Sequence, residues 1–150
     1  MTPQMIAFSV RGNPQPKGSF RAFMPRGARY PIVTNDNRKT KPWQDLISYV
    51  ANCHAPAGGP WDGPIALNLK FWMARPKSLP KCFFWAIKKP DLDKLQRCVK
   101  DSLKGIIYVD DAQVVKSGLE KNYGDAPGVD VEIIRIPGTT NQPPKQEGLL

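Results

Sequence analysis

The sequence predicts an α+β domain in which a small mixed or antiparallel sheet is packed by two main helices. Three observations carry that expectation. Two segments, Thr40 to Cys53 and Leu92 to Lys104, place apolar residues at helical spacing. Shorter segments between and around them are rich in β-branched and aromatic residues, and the best of them alternate apolar and polar. The chain has 150 residues, about the length of one domain, and needs no staple of disulfides or metal to bury a core. The domain is expected over residues 1–136. Residues 137–150 are polar and rich in Pro and Gly, and are expected to be a disordered tail.

Taken in order, Met5 to Arg11 reads as a first strand, followed by the Pro/Gly breaker Gly12 to Ser19. Phe20 to Pro25 and Tyr30 to Thr34 are short β candidates whose prolines favour edge or hairpin positions. The first helix starts near Thr40, with Pro42 tolerated in its first turn. Trp43, Leu46, Ile47, Val50 and Ala51 form its apolar face. Pro64 to Ala74 alternates through Ile65, Leu67, Leu69 and Phe71, the mark of a half-buried strand. Arg75 to Lys89 has five basic residues, three aromatics and two prolines, and is expected to be a loop leading into Asp91. It could be a basic lid, or its Phe83-Phe84-Trp85 cluster could dock on the core or on a second subunit.

The second helix is the clearest element. Leu92, Leu95, Val99 and Leu103 share one face, and Asp93, Arg97, Lys100, Asp101 and Lys104 the other. Asp91 is placed to cap it and Gly105 to close it. Ile106 to Asp110, Gln113 to Tyr123 and Val129 to Ile136 then read as strands, with a hairpin turn at Gly124 to Gly128.

Charge bounds the function. There are 22 Lys and Arg against 13 Asp and Glu, a formal charge of +9 and a pI near 9.6. That balance favours a polyanion such as DNA over a neutral partner. The signs are segregated: before Pro90 three acids stand among fourteen basic residues, whereas nine acids lie between Asp91 and Glu132. Three scattered cysteines and one histidine match no disulfide framework, zinc motif or nucleophile triad. With no signal peptide and no apolar run of spanning length, a cytoplasmic protein without a membrane partner is expected. No Gly-rich phosphate loop points to a small-molecule cofactor.

The candidate site is Asp91, Asp93, Asp101, Asp110 and Asp111 in one stretch of 21 residues. Asp-x-Asp at a helix start is often only a cap with favourable charge near the helix dipole. A strand after Gly105 running back along the helix would bring Asp110 and Asp111 to Asp91 and Asp93. Carboxylates so gathered repel unless a cation lies between them. All-oxygen ligands select Mg²⁺ or Mn²⁺. In a strand only one of Asp110 and Asp111 faces that site. A cation held there in a basic protein suits phosphodiester hydrolysis. Arg97, four residues from Asp93, either clamps the phosphate or merely pairs with Asp93. Lys17, Arg21, Arg75, Lys77, Lys88, Lys89 and Lys94 are candidate DNA contacts, against the plainer alternative of solvated charges.

The stretch PDLDKLQRCVKDSLKGIIYVDDAQVV, Pro90 to Val115, resembles the RusA-type Holliday junction resolvases, whose hallmark is DLDNL-x-K/R, D-x-L and a terminal DDxQV. The likeness continues more loosely through PKGSFRAF and the strand at Pro64 to Met73. It implies a small, homodimeric, Mg²⁺-dependent endonuclease that cuts paired strands of four-way DNA junctions. It also implies Asp91, Asp93 and Asp111 as metal ligands, with Asp101 and Asp110 in support. Arg97 falls where many members have a catalytic lysine, and Lys94 where many have asparagine. Arginine hardly deprotonates, so Arg97 suits an electrostatic clamp better than a proton donor. The rivals are a nuclease for flap or forked DNA, a branched-DNA-binding module without catalysis, and a nucleotide-sugar transferase using Asp-x-Asp.

Overall fold

A computed structural model describes residues 4–18, 20–35 and 37–137. Of the tail expected over 137–150, all but Pro137 lies outside the described residues.

The elements run β1 (Gln4–Arg11), β2 (Phe20–Phe23), β3 (Ile32–Asn35), α1 (Thr40–Cys53), β4 (Ile65–Ala74), α2 (Leu92–Leu103), β5 (Val114–Gly124) and β6 (Gly128–Arg135). The main sheet has the order β1-β6-β4-β5. It is mixed: β6 is antiparallel to both β1 and β4, while β4 and β5 are parallel. Parallel neighbours need a long crossover, and α2 lies within the one that joins β4 to β5. The second sheet is the antiparallel hairpin of β2 and β3. This is the α+β architecture with two helices that the apolar spacing predicts.

Period-two alternation decides what each strand buries. Phe8 and Val10 of β1, Ile65, Leu67, Leu69 and Phe71 of β4, and Val129, Val131 and Ile133 of β6 join one core. Trp43, Ile47 and Ala51 of α1 and Leu95, Cys98, Val99 and Leu103 of α2 complete it. The opposite face of the sheet carries polar side chains that satisfy one another. Ser9 and the Trp72 indole donate to Asp130 at 2.7 and 2.9 Å, and Asn68 donates to Glu132 at 3.0 Å. Burial alone would raise the Asp130 carboxyl, but these two hydrogen bonds, with Arg11 and Lys70 nearby, hold it below its ordinary value.

One expected strand does not form. Residues 106–110 make a turn, and Gly105 takes a φ of 81° that favours glycine. The Ile107 N–H donates to Leu103 O at 3.1 Å and the Gly105 N–H to Tyr108 O at 2.7 Å. Ile107 and Tyr108 are fully buried. Their burial folds the chain into the core at the end of α2, and does not lead it back along the helix.

Candidate functional site

The outer face of α2 and the two ends of that helix hold the predicted residues. Asp91 occupies the N-cap position with extended φ and ψ of −70° and 143°, yet its carboxylate makes no capping hydrogen bond. The exposed carboxylate is thus not spent on the helix. Asp93, in the first turn, stands 4.0 Å from the Arg97 guanidinium, and both side chains are about two-thirds exposed. A pair so open to water contributes little to stability. Lys94, half-buried, lines a cleft of ≈ 540 Å³ with Lys89, Asp91, Gln15 and Asn37.

Asp111 lies elsewhere. It begins a single 3-10 turn, Asp111–Gln113, whose cap is Asp110. The Asp110 carboxylate accepts from the Ala112 N–H, and the Gln113 side chain accepts from the Asp110 N–H at 2.8 Å. The Gln113 amide also donates to Trp61 O and Gly63 O, so Asp110 and Gln113 staple this corner. Burial pushes the Asp111 carboxyl above its ordinary value, and the charge of Asp101 adds to the rise. Lys100, Lys104 and the Tyr108 hydroxyl act in the opposite sense. The Tyr108 hydroxyl donates to Lys100 O at 3.0 Å and stands 3.4 Å from Asp111 Oδ1. Burial lifts its own pKa far above the usual phenol value. Asp111 therefore belongs to the C-terminal end of α2. Asp91 and Asp101 are ten residues apart along the helix, about 15 Å at its rise per residue.

The expectation that the chain doubles back to bring Asp110 and Asp111 beside Asp91 and Asp93 is corrected by this turn. Among the described residues, no three Asp, Glu, His or Cys side chains are grouped so as to hold a metal ion. Asp91, Asp93 and Asp111 are not gathered within a single chain.

The basic candidates divide by what they touch. The Lys17 N–H donates to Lys94 O at 3.0 Å and its ammonium pairs with Asp101, laying the loop after β1 across α2. Arg75 donates to the carbonyls of Pro80 and Phe83 and shapes the loop that contains it. Lys77, Lys88 and Lys89 are exposed. Arg21 lies on β2, and its side chain is outside the described residues.

Sequence reasoning missed Lys121. Its ammonium donates to Lys88 O and Pro90 O, each at 2.7 Å, and so holds the chain immediately before Asp91. Covalent geometry places that ammonium no more than about 6 Å from the Asp91 Cα. The signal was present: Leu119, Lys121 and Tyr123 share one side of β5 by alternation, and a lysine between two apolar neighbours on an inward face needs a partner. Lys100 and Lys104 beside Asp111 had no comparable signal, because the turn that brings them together is irregular.

Among the described residues no helix is long and apolar enough to cross a membrane. The three cysteines are free, and burial, with Asp101 adding, raises the buried Cys98 to about 12, so it is an inert thiol at neutral pH.

Compared with known proteins, residues 12–134 match the family model of the endodeoxyribonuclease RusA. The chain is also 31% identical over 141 residues to YqaN of Bacillus subtilis (strain 168), a protein described as uncharacterized, covering 87% of this chain and 96% of that one. The mixed sheet, the two helices and the match over most of the described residues lead to one conclusion: the chain belongs to the RusA endodeoxyribonuclease family.

Proposed function

We propose that this protein is a structure-specific endodeoxyribonuclease that resolves four-way DNA junctions by paired phosphodiester hydrolysis, as a homodimer in the cytoplasm. The observation that carries the reading is the start of α2. Two exposed carboxylates, Asp91 and Asp93, stand there with Lys89, Lys94 and Arg97 around them on a chain of charge +9. Lys89 and Lys94 are positioned to hold a phosphate beside the acids. Arg97 is free enough to leave Asp93 and clamp charge that develops on the phosphate.

Mg²⁺ or Mn²⁺ is the cation that an all-oxygen ligand set would take. The proposed ligands Asp91, Asp93 and Asp111 do not meet within one chain. A homodimer would supply a second copy of each end of α2, and a two-fold axis also suits symmetric cuts on a symmetric junction.

The test is cleavage of a mobile four-way junction, a fork and a linear duplex, each with Mg²⁺, with Mn²⁺ and with chelator. The junction should be cut in preference and only with metal. Asp93→Asn should stop cleavage and leave junction binding in place; full cleavage by that variant refutes the assignment. A preference for forks would point to the flap or fork nuclease. The placement of Asp111 by Tyr108 and Lys100, away from Asp91 and Asp93 among the described residues, supports a second reading, a branched-DNA-binding module. Salt-sensitive junction binding with no cleavage in either metal would favour it.

A further inference from the structure

Between β4 and α2 the chain carries five cations and no acid, from Arg75 to Lys89. This segment is tied down at several points. The Ala86 N–H donates to Lys121 O at 3.1 Å, and the Tyr123 N–H donates to Phe84 O at 2.8 Å. Trp85 bridges Asn122 in antiparallel fashion, so residues 84–86 lie along the end of β5 as a short extra pairing. Arg75 fastens the upstream part through Pro80 and Phe83, and Lys121 fastens the downstream part through Lys88 and Pro90.

Alternate side chains of an extended segment face opposite ways. Ala86 turns inward at 6% exposure, while Phe84, itself 46% exposed, meets Trp72 and Trp85 edge-on with ring centroids 6.3 and 5.0 Å apart. Phe83, Trp85 and Ile87 remain 52%, 58% and 87% exposed. Large apolar side chains held in water by a pinned backbone mark a contact surface. Asp91 follows four residues after Ile87.

We infer that Phe83, Trp85 and Ile87 form a platform for the unpaired bases of a DNA branch point, with Lys77, Lys81, Lys88 and Lys89 holding the adjoining backbone. The inference rests on the branched-DNA reading and adds where the branch is recognised. Aromatic faces take any base, and basic neighbours follow its phosphates. A branch point is where duplex stacking is interrupted, so it supplies such bases next to the phosphate to be cut. Charge decides between occupants: a second copy seated on the same patch would set five cations against five, whereas DNA complements them.

The experiment uses the full chain, the double variant Phe83→Ala with Trp85→Ala, and Ile87→Ser, an uncharged change at a position too exposed to alter folding. Each is titrated, at fixed salt, against a four-way junction carrying 2-aminopurine at the branch and against a linear duplex. Binding of the unmodified protein should change the 2-aminopurine fluorescence. Both variants should bind the junction about ten-fold more weakly and the duplex unchanged. Junction affinity and fluorescence equal to the unmodified protein overturn the platform. So does an equal loss on junction and duplex, and so does a dimer that becomes a monomer in the variants, which would assign the patch to a second copy. If the unmodified protein does not prefer the junction to the duplex, the branched-DNA reading itself fails, whatever the variants do.

Discussion

Replacing Lys121 by Met keeps the length of the side chain and removes the ammonium that holds the carbonyls of Lys88 and Pro90. Two hydrogen bonds from a charged donor are lost, each worth about 1.5–3 kcal/mol where water cannot replace it. The Lys88 contact is exposed and the Pro90 contact part-buried, so water replaces much of the first and less of the second. The net cost should be about 2 kcal/mol, mostly from the Pro90 carbonyl. For a domain of this size that lowers the melting temperature by about 4–8 °C. The local effect is the larger one for function, because the released carbonyl is bonded directly to Asp91. Single-turnover junction cleavage should slow by about ten-fold, the rate equivalent of 1.4 kcal/mol. Junction affinity should fall by less than the cleavage rate, since Lys121 points at its own chain and the pairing of residues 84–86 with β5 still holds the segment. Lys121→Arg should restore part of the rate, because a guanidinium has donors enough for both carbonyls. Thermal unfolding by circular dichroism and single-turnover cleavage measure the two effects. A Met variant that melts within about 1 °C of the parent and cuts at the parental rate refutes the claim that Lys121 positions Asp91.

Further outcomes are expected. Burial, then the neighbouring Asp101, makes the ionised Asp111 carboxylate unfavourable in the folded state, so its folded pKa lies above its unfolded one. Such a carboxylate costs stability above the folded pKa and nothing below the unfolded pKa. Asp111→Asn should therefore raise the melting temperature at neutral pH, with the gain shrinking as pH falls through the carboxylate range; a gain that grows on acidification would contradict this. Leu103 is fully buried at the end of α2, and Leu103→Ala should cost about 2–5 kcal/mol in urea unfolding through the cavity it leaves. A loss well below that range would mean that the turn after α2 collapses into the space.

Much of this fold was readable from spacing alone. The first helix begins and ends at Thr40 and Cys53 as its apolar face predicts, and α2 stops one residue short of the expected Lys104. The strands around Leu67 and Val131 follow from alternation. Ile106 to Asp110 misled because a short apolar run reads the same whether it pairs in a sheet or sinks into the core as a turn. That one misreading moved Asp111 to the wrong end of α2. Residues 84–86 were hidden by Pro76 and Pro80, which mark the neighbouring chain as loop while leaving these residues free to pair with β5. At the site, the exposed Asp91 and Asp93 stand where the sequence put them. Their support from Lys121 depends on a sheet order that no local pattern encodes.

The strand order carries a consequence for how the protein is made. β6, the last strand in the chain, sits between β1 and β4, pairing Gln4 with Arg135 across 131 positions. Until the ribosome has released Arg135, β1 has no neighbour in the main sheet and the core lacks Val129, Val131 and Ile133. All five acids from Asp91 to Asp111 are translated before that closure. A nascent chain emerges in sequence order and folds as a unit, so the acids on and around α2 acquire fixed positions only after β6 has been threaded between its neighbours. A chain ended before Gly128 should show no cooperative melting.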